Sequence, residues 1–385
     1  MVNEMERAKM YPSYKSYREE AVYGQIDQRQ LFVFWQFNGD NSSWCNQFCP
    51  YCYGGKKKMK HFWNGDIAKW EKAFERLNRD IYFVMSYGET FGGHGFYECV
   101  DMIGRHPTWT LCIVTNLSIS PERLIASRLG EEKRVFINAC WHPFGVKNRV
   151  RGWELFKKHL LMLKDAGIPT HMLYLWYEPQ IKWFPEYFEW LDSHDFRVGV
   201  RRYVGNIGGY RVPLLRTVRR HVRNISGKKI LLSDALGGKN YPQDHTNAEL
   251  GFLYAITCQK VIDYGIECAS THGKLCTAGK DMILVKYDGT VGLCADAYSF
   301  QLGNIFDPNF KLRPEPIPCP ITICGGDYGM LHLADARFDP LPSRLWNDTF
   351  VSQVEEVKQS SPVAYPKRVE MMKWLEELKR ENLQC

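Results

Sequence analysis

No apolar run in this 385-residue chain approaches the roughly 20 residues of a membrane span, so a bilayer crossing is not expected. The first twenty residues, "MVNEMERAKMYPSYKSYREE", are charged and contain no apolar export core. A cytoplasmic protein without a membrane partner is the expectation. There is no tandem repeat and no extended low-complexity tract, which excludes solenoids and repeat arrays. Neither sign of charge dominates: 50 Lys and Arg face 43 Asp and Glu, a formal net charge of +7. The basic run "KKKMKH" (56–61) reads as a solvated face, and a nucleic-acid partner is not expected. What the chain does not lack is cysteine. There are 13, an odd number, and without an export signal they read as metal ligands or catalytic thiols rather than disulfides. Cys99, Cys112 and Cys140 lie in apolar stretches and read as small buried hydrophobes.

Hydrophobic residues make up 45% and aromatics 14%, enough for one large domain and a smaller one. From residue 31 onward short apolar runs alternate with helical patterns. Strands are predicted at 31–37, 81–87, 110–116, 135–141, 171–177 and 196–204, all mostly apolar, as parallel strands buried on both faces should be. Helices are predicted at 66–80, 151–167 and 184–195, with Gly167 just past the end of the second. Six strand–helix repeats predict an α/β fold, a partial (β/α)6 TIM-like barrel with a smaller C-terminal domain. Chemistry in such barrels sits at the C-terminal ends of the strands. The expected divisions are an extension (1–30), the barrel (31–225), a second domain (226–364) and a final amphipathic helix (365–385). Within the second domain "DMILVKYDGTVGLCAD" (281–296) predicts a hairpin turning at Asp288-Gly289.

The first strand is followed by "CNQFCPYC", with Cys45, Cys49 and Cys52 spaced Cys-x3-Cys-x2-Cys. A four-iron cubane held by three thiolates keeps one metal corner open, the place where a substrate or cofactor binds. Zinc with a distant fourth ligand is the alternative. The stretch resembles the signature of radical S-adenosylmethionine (SAM) enzymes, including the aromatic Tyr51 before the last cysteine. The resemblance implies a [4Fe-4S] cluster with SAM at its open iron. It also implies cleavage to a 5′-deoxyadenosyl radical, hydrogen abstraction from substrate, and a low-potential donor of flavodoxin or ferredoxin type.

Further motifs follow the later strands. "SYGETFGG" is similar to that family's Gly-Gly-Glu-Pro motif, with Gly88 and Glu89 matching, Tyr87 in place of the first Gly and Thr90 in place of Pro. The resemblance gives this segment the SAM amino group. Thr115-Asn116 resembles the family's Thr-Asn pair after strand three. On the same analogy Asn138 meets the ribose, and Arg201 or Arg202 pairs with the SAM carboxylate, a group that suits an arginine fork. His142, in "WHPF", and Glu178, in "WYEP", are catalytic candidates, against structural readings as a packed ring and a loop carboxylate.

Cys276 and Cys294 flank the predicted hairpin, with Cys319 and Cys324 beyond. This resembles the auxiliary-cluster extensions called SPASM and twitch, and implies one auxiliary iron–sulfur cluster on these four thiols. Cys258 and Cys268 are left over, and a four-thiolate zinc site is the alternative. The expected function is hydrogen abstraction from an unactivated C–H bond of a small polar substrate of sugar, aminocyclitol or nucleoside type, the auxiliary cluster aiding oxidation. Peptide maturation is the alternative; the roughly 30 residues before strand one are too few for a leader-binding domain by ordinary size. An RNA-modifying enzyme and a non-catalytic iron–sulfur protein are further alternatives.

Overall fold

Leu31–Gln36 (β1), Ile81–Met85 (β2), Thr110–Thr115 (β3), Val135–Trp141 (β4), Thr170–Trp176 (β5) and Val198–Arg202 (β6) are the six parallel strands expected from the pattern. The computed structural model describes residues 30–37, 45–47, 49, 65–86, 88–176, 178–196, 198–202, 271–295, 297, 300–321 and 368–383. Helices between the strands are Ile67–Glu75 (α1), Phe96–Arg105 (α2), Glu122–Ile125 (α3), Arg128–Glu131 (α4), Arg149–Asp165 (α5), Glu178–Ile181 (α6) and Phe184–Ser193 (α7). The strands pair in chain order with register such as Val33↔Phe83, Val84↔Cys112, Val114↔Asn138, Asn138↔His171 and Leu175↔Arg201. Each strand returns beside its predecessor through a crossover, the only connection open to parallel neighbours. Among the described residues the sheet remains open at β6, so the barrel is partial.

Alternation sorts each strand into two faces. Trp35 of β1 packs toward the helices, 5.1 Å from Trp70 and 4.9 Å from Phe74 of α1. Trp141 of β4 does the same against Trp153 and Phe156 of α5. Every one of these rings is nearly or wholly buried, and each contributes about 1.5–3 kcal/mol. The opposite, concave face carries Phe34, Tyr82, Val84, Cys112 and Phe136 as a separate apolar floor. Cys99 and Cys112 are buried as expected, whereas Cys140 is only partly so because it lies on this concave face near the open rim.

The predicted hairpin forms as Met282–Lys286 (β8) and Thr290–Gly292 (β9), turning at Gly289 with φ +82°, a conformation glycine alone adopts freely. It does not stand apart. β8 runs parallel beside β1, and β9 and Gln301–Asn304 (β10) extend the sheet to nine strands. Leu275–Cys276 (β7) and Ile317–Pro318 (β11) form a separate two-stranded ladder. The final helix, Arg368–Leu383 (α8), buries Met371, Leu375 and Leu378 and meets α7 through Lys379 and Glu189.

Candidate active site

Six parallel strands in one order bring all their C-terminal ends to one rim, so residues remote in sequence become neighbours. After β2 the chain turns through Gly88, at φ +69°, into Glu89. Glu89 is 1% exposed. One carboxylate oxygen accepts from the Thr115 hydroxyl at 2.6 Å and the Phe91 amide at 3.2 Å; the other accepts from the Asn116 amide at 2.8 Å. Burial outweighs these bonds and raises its pKa to about 7. Thr90, where the resemblance expects proline, donates its hydroxyl to the Val114 carbonyl at 2.7 Å. The end of β2 is thus tied to the end of β3 by three side chains.

The turn after β3 is itself held. Leu117 adopts φ +50° while fully buried; its amide donates to the Thr115 hydroxyl, and its carbonyl accepts from His159 of α5 at 2.6 Å. This fixes Asn116, whose side-chain amide reaches the Cys45 sulfur at 3.7 Å and the Asn46 carbonyl oxygen at 3.2 Å. Asn46 in turn donates to Ser118 at 2.7 Å. The cysteine loop is therefore anchored on the β3 turn. It is also pressed by the loop after β4: a Cβ on Gly145 would lie 2.6 Å from the Cys49 sulfur and 2.7 Å from the Gln47 carbonyl oxygen. Cys45 and Cys49 are partly exposed on this loop. Thiols at a rim, with an amide donor aimed at sulfur, are the donor set an iron–sulfur cluster requires, and the described part of the loop fits one. Cys52 and Tyr51 lie outside the described residues.

Asn138 lies on the concave face one step above Phe136, with His171 beside it on β5 and Gln36 on β1; all three are buried. The Asn138 amide meets the Cys112 sulfur at 3.2 Å. His142 begins the loop after β4, and desolvation draws its pKa down to about 4 although part of the residue reaches solvent. Arg201 pairs in register with Leu175, and Arg202 with Trp176, at the end of β6. Glu178 opens the short helix α6 and does not sit in a loop. Asn46, Gln47, Ser118 and Gly145 were not anticipated from sequence. The first two lie inside the cysteine motif itself; the others carry no local signal.

Across the sheet, Cys276, Cys294 and Cys319 share one small core with Ala278, Met282, Leu293 and Ile321. The β7–β11 ladder brings two of them together: Ile317 pairs with Cys276, and the Cys319 amide donates to Lys274. The Ala297 amide points at the Cys294 sulfur at 3.3 Å. Three buried cysteines, one of them accepting an N–H···S bond, fit a second cluster. Cys324, Cys258 and Cys268 lie outside the described residues. Glu71, Glu75 and His106 also form a group with metal-ligand character, but the Arg105 guanidinium grips Glu71 at 2.6 and 3.0 Å. That arrangement is an ion-pair network beside the start of β3, at the opposite end of the strands from the rim.

No protein-family model matches the chain, and no curated protein matches it. Among solved structures it is similar to tagged anSMEcpe with bound AdoMet, at 14% identity and TM-score 0.45 over 92% of this chain and 96% of that one. It is similar to Streptococcus suis SuiB bound to precursor peptide SuiA, at 12% identity and TM-score 0.44 over 77% and 66% of the two chains. It is similar also to BtrN in complex with AdoMet and 2-DOIA, at 14% identity and TM-score 0.36 over 73% and 80%.

Proposed function

We propose that this chain is a radical SAM enzyme that abstracts a hydrogen atom from an unactivated C–H bond of a small polar substrate. One observation carries the reading. A continuous hydrogen-bonded path runs from the buried Glu89 carboxylate through Asn116 to the Cys45 sulfur, joining the three motifs that the resemblance singles out. When bound on Cys45, Cys49 and Cys52, a four-iron cluster with SAM supplies one-electron reductive cleavage and hydrogen-abstracting power.

The chain's own residues do the rest. Glu89 is a fixed acceptor for an ammonium group, and such a partner offsets the burial that raises its pKa. Asn116 orients the Cys45 thiolate through its amide. Gln36, Asn138 and His171 line the concave face above the apolar floor, giving amide and imidazole groups suited to hydroxyls. The floor of Phe34, Tyr82 and Phe136 closes the interior against water. Desolvation keeps His142 neutral at pH 7 and opposes its protonation, so it serves as a neutral hydrogen-bonding group toward substrate rather than as a base. Cys276, Cys294, Cys319 and Cys324 would hold an auxiliary cluster that takes the second electron of an oxidation.

Anaerobic reconstitution with iron, sulfide, SAM and dithionite tests the reading. The wild-type chain is expected to release 5′-deoxyadenosine and methionine, and Cys45→Ala none. Reconstituted protein that holds iron but yields no 5′-deoxyadenosine would refute it.

A further inference from the structure

The loop that presses on Cys49 continues outward as "PFGVKNRVR" (143–151), which contains no acidic residue. Phe144 is 38% exposed and Val150 67% exposed, two of the few large apolar side chains left at the surface among the described residues. Phe144 packs 5.0 Å from Trp183, which follows α6, so two rim loops build one aromatic ledge. Cations surround it. Lys147, Arg151 and Lys182 are exposed, and the Lys182 ammonium lies 5.0 Å from the Trp183 ring. Lys147 and Arg151 form no ion pair among the described residues. The exposed carboxylates nearby are engaged: Glu186 pairs with Arg149 at 3.6 Å and Glu154 with Lys157 at 2.7 Å.

We propose that this basic aromatic ledge, Phe144, Lys147, Val150, Arg151, Lys182 and Trp183, is the docking surface for an acidic flavodoxin-type electron donor. The inference rests on the function proposed above, which needs one electron delivered to the cluster. Three features select this partner. The ledge is positive, so an acidic protein is steered to it. The exposed Phe144 edge, backed at 49° by the half-buried Trp183, adds an apolar contact at the centre of the cations. Gly145, adjacent to Phe144, lies against Cys49, so a donor seated here stands next to a cysteine that would hold the cluster. A single electron passes from the anionic reduced flavin to the oxidised cluster; the flavin is oxidised by one electron, the cluster reduced by one, and no bond forms or breaks.

The test compares wild type with the double variant Lys147→Glu/Lys182→Glu. Binding of oxidised flavodoxin to the cluster-free protein is measured by calorimetry at low and high salt. SAM cleavage by the reconstituted protein is then driven separately by reduced flavodoxin and by dithionite. The expected result is about tenfold weaker flavodoxin binding and flavodoxin-driven cleavage, with the dithionite rate unchanged. Wild-type binding should weaken as salt rises. Unchanged flavodoxin binding in the variant overturns the proposal, as does an equal fall of both cleavage rates. So does a loss of oligonucleotide or peptide binding with flavodoxin binding intact, which assigns the ledge to another partner. Failure of wild-type protein to cleave SAM with dithionite is a different outcome: it refutes the enzymatic reading itself.

Discussion

At the scale of single residues, Glu89 shows how burial and hydrogen bonding compete. Three donors favour its charged form, yet desolvation raises its pKa from 4.5 to about 7. The folded chain therefore binds a proton that the unfolded chain has released between those values, and native stability must fall as pH rises from about 4.5 to about 7. The full effect is bounded at about 3 kcal/mol. Urea unfolding of cluster-free protein at pH 5 and pH 7 should show the decline, and Glu89→Gln should flatten it; equal slopes would mean the carboxylate is already ionised in the fold. Gly145 makes a second residue-scale case. Its missing side chain is what lets the β4 loop meet the Cys49 sulfur at all. Gly145→Ala should lower the iron bound after reconstitution while leaving the far-ultraviolet circular dichroism unchanged, and full iron loading would show that the loop yields. Glu89 was legible in the sequence because it follows an apolar strand with a glycine before it. Gly145 was not, since a close approach between residues nearly one hundred apart has no local signature.

At the scale of elements, strand positions agree with the apolar runs to within two residues, because parallel strands buried on both faces leave an uninterrupted pattern. Helix ends agree less well. The pattern predicts 66–80, but α1 stops at Glu75 because Asn78 takes φ +49° and turns the chain toward β2. The start of α5 lies two residues earlier than predicted, at a cap the pattern missed: the Asn148 side chain accepts from the Arg151 amide at 3.0 Å. Asn148→Ala should lower unfolding free energy by about 1 kcal/mol, measured in urea. The β7–β11 ladder and the hairpin gather Cys276, Cys294 and Cys319 away from the rim. Cys276→Ala or Cys294→Ala should therefore spare 5′-deoxyadenosine release while removing part of the iron, whereas Cys49→Ala should abolish release. Equal loss in both classes of variant would deny the two thiol sets separate roles.

At the scale of the whole molecule, the C-terminal segment completes the sheet. β8 lies along the outer edge of β1, and the Arg76 guanidinium at the end of α1 donates to the Ile305 carbonyl at 2.6 Å, across 229 residues of sequence. Without β8, the first barrel strand would present an unpaired apolar edge. A chain ending at residue 270 is expected to aggregate on expression. A monodisperse, folded product by size exclusion and circular dichroism would show that the barrel stands without its C-terminal strands.

The sequence by itself determined the six apolar strands, the three helices α1, α5 and α7, the hairpin turn at Gly289 and the thiol-rich loop after β1, since each depends on periodicity or composition within a few neighbouring residues. Only the tertiary structure decided which polar groups face one another. The αL turn at Leu117 aimed Asn116 at Cys45, the β7–β11 ladder brought Cys276 and Cys319 together, and pairing across some 250 residues placed β8 beside β1. Such contacts arise where remote segments close on each other, and nothing within either segment alone encodes its partner.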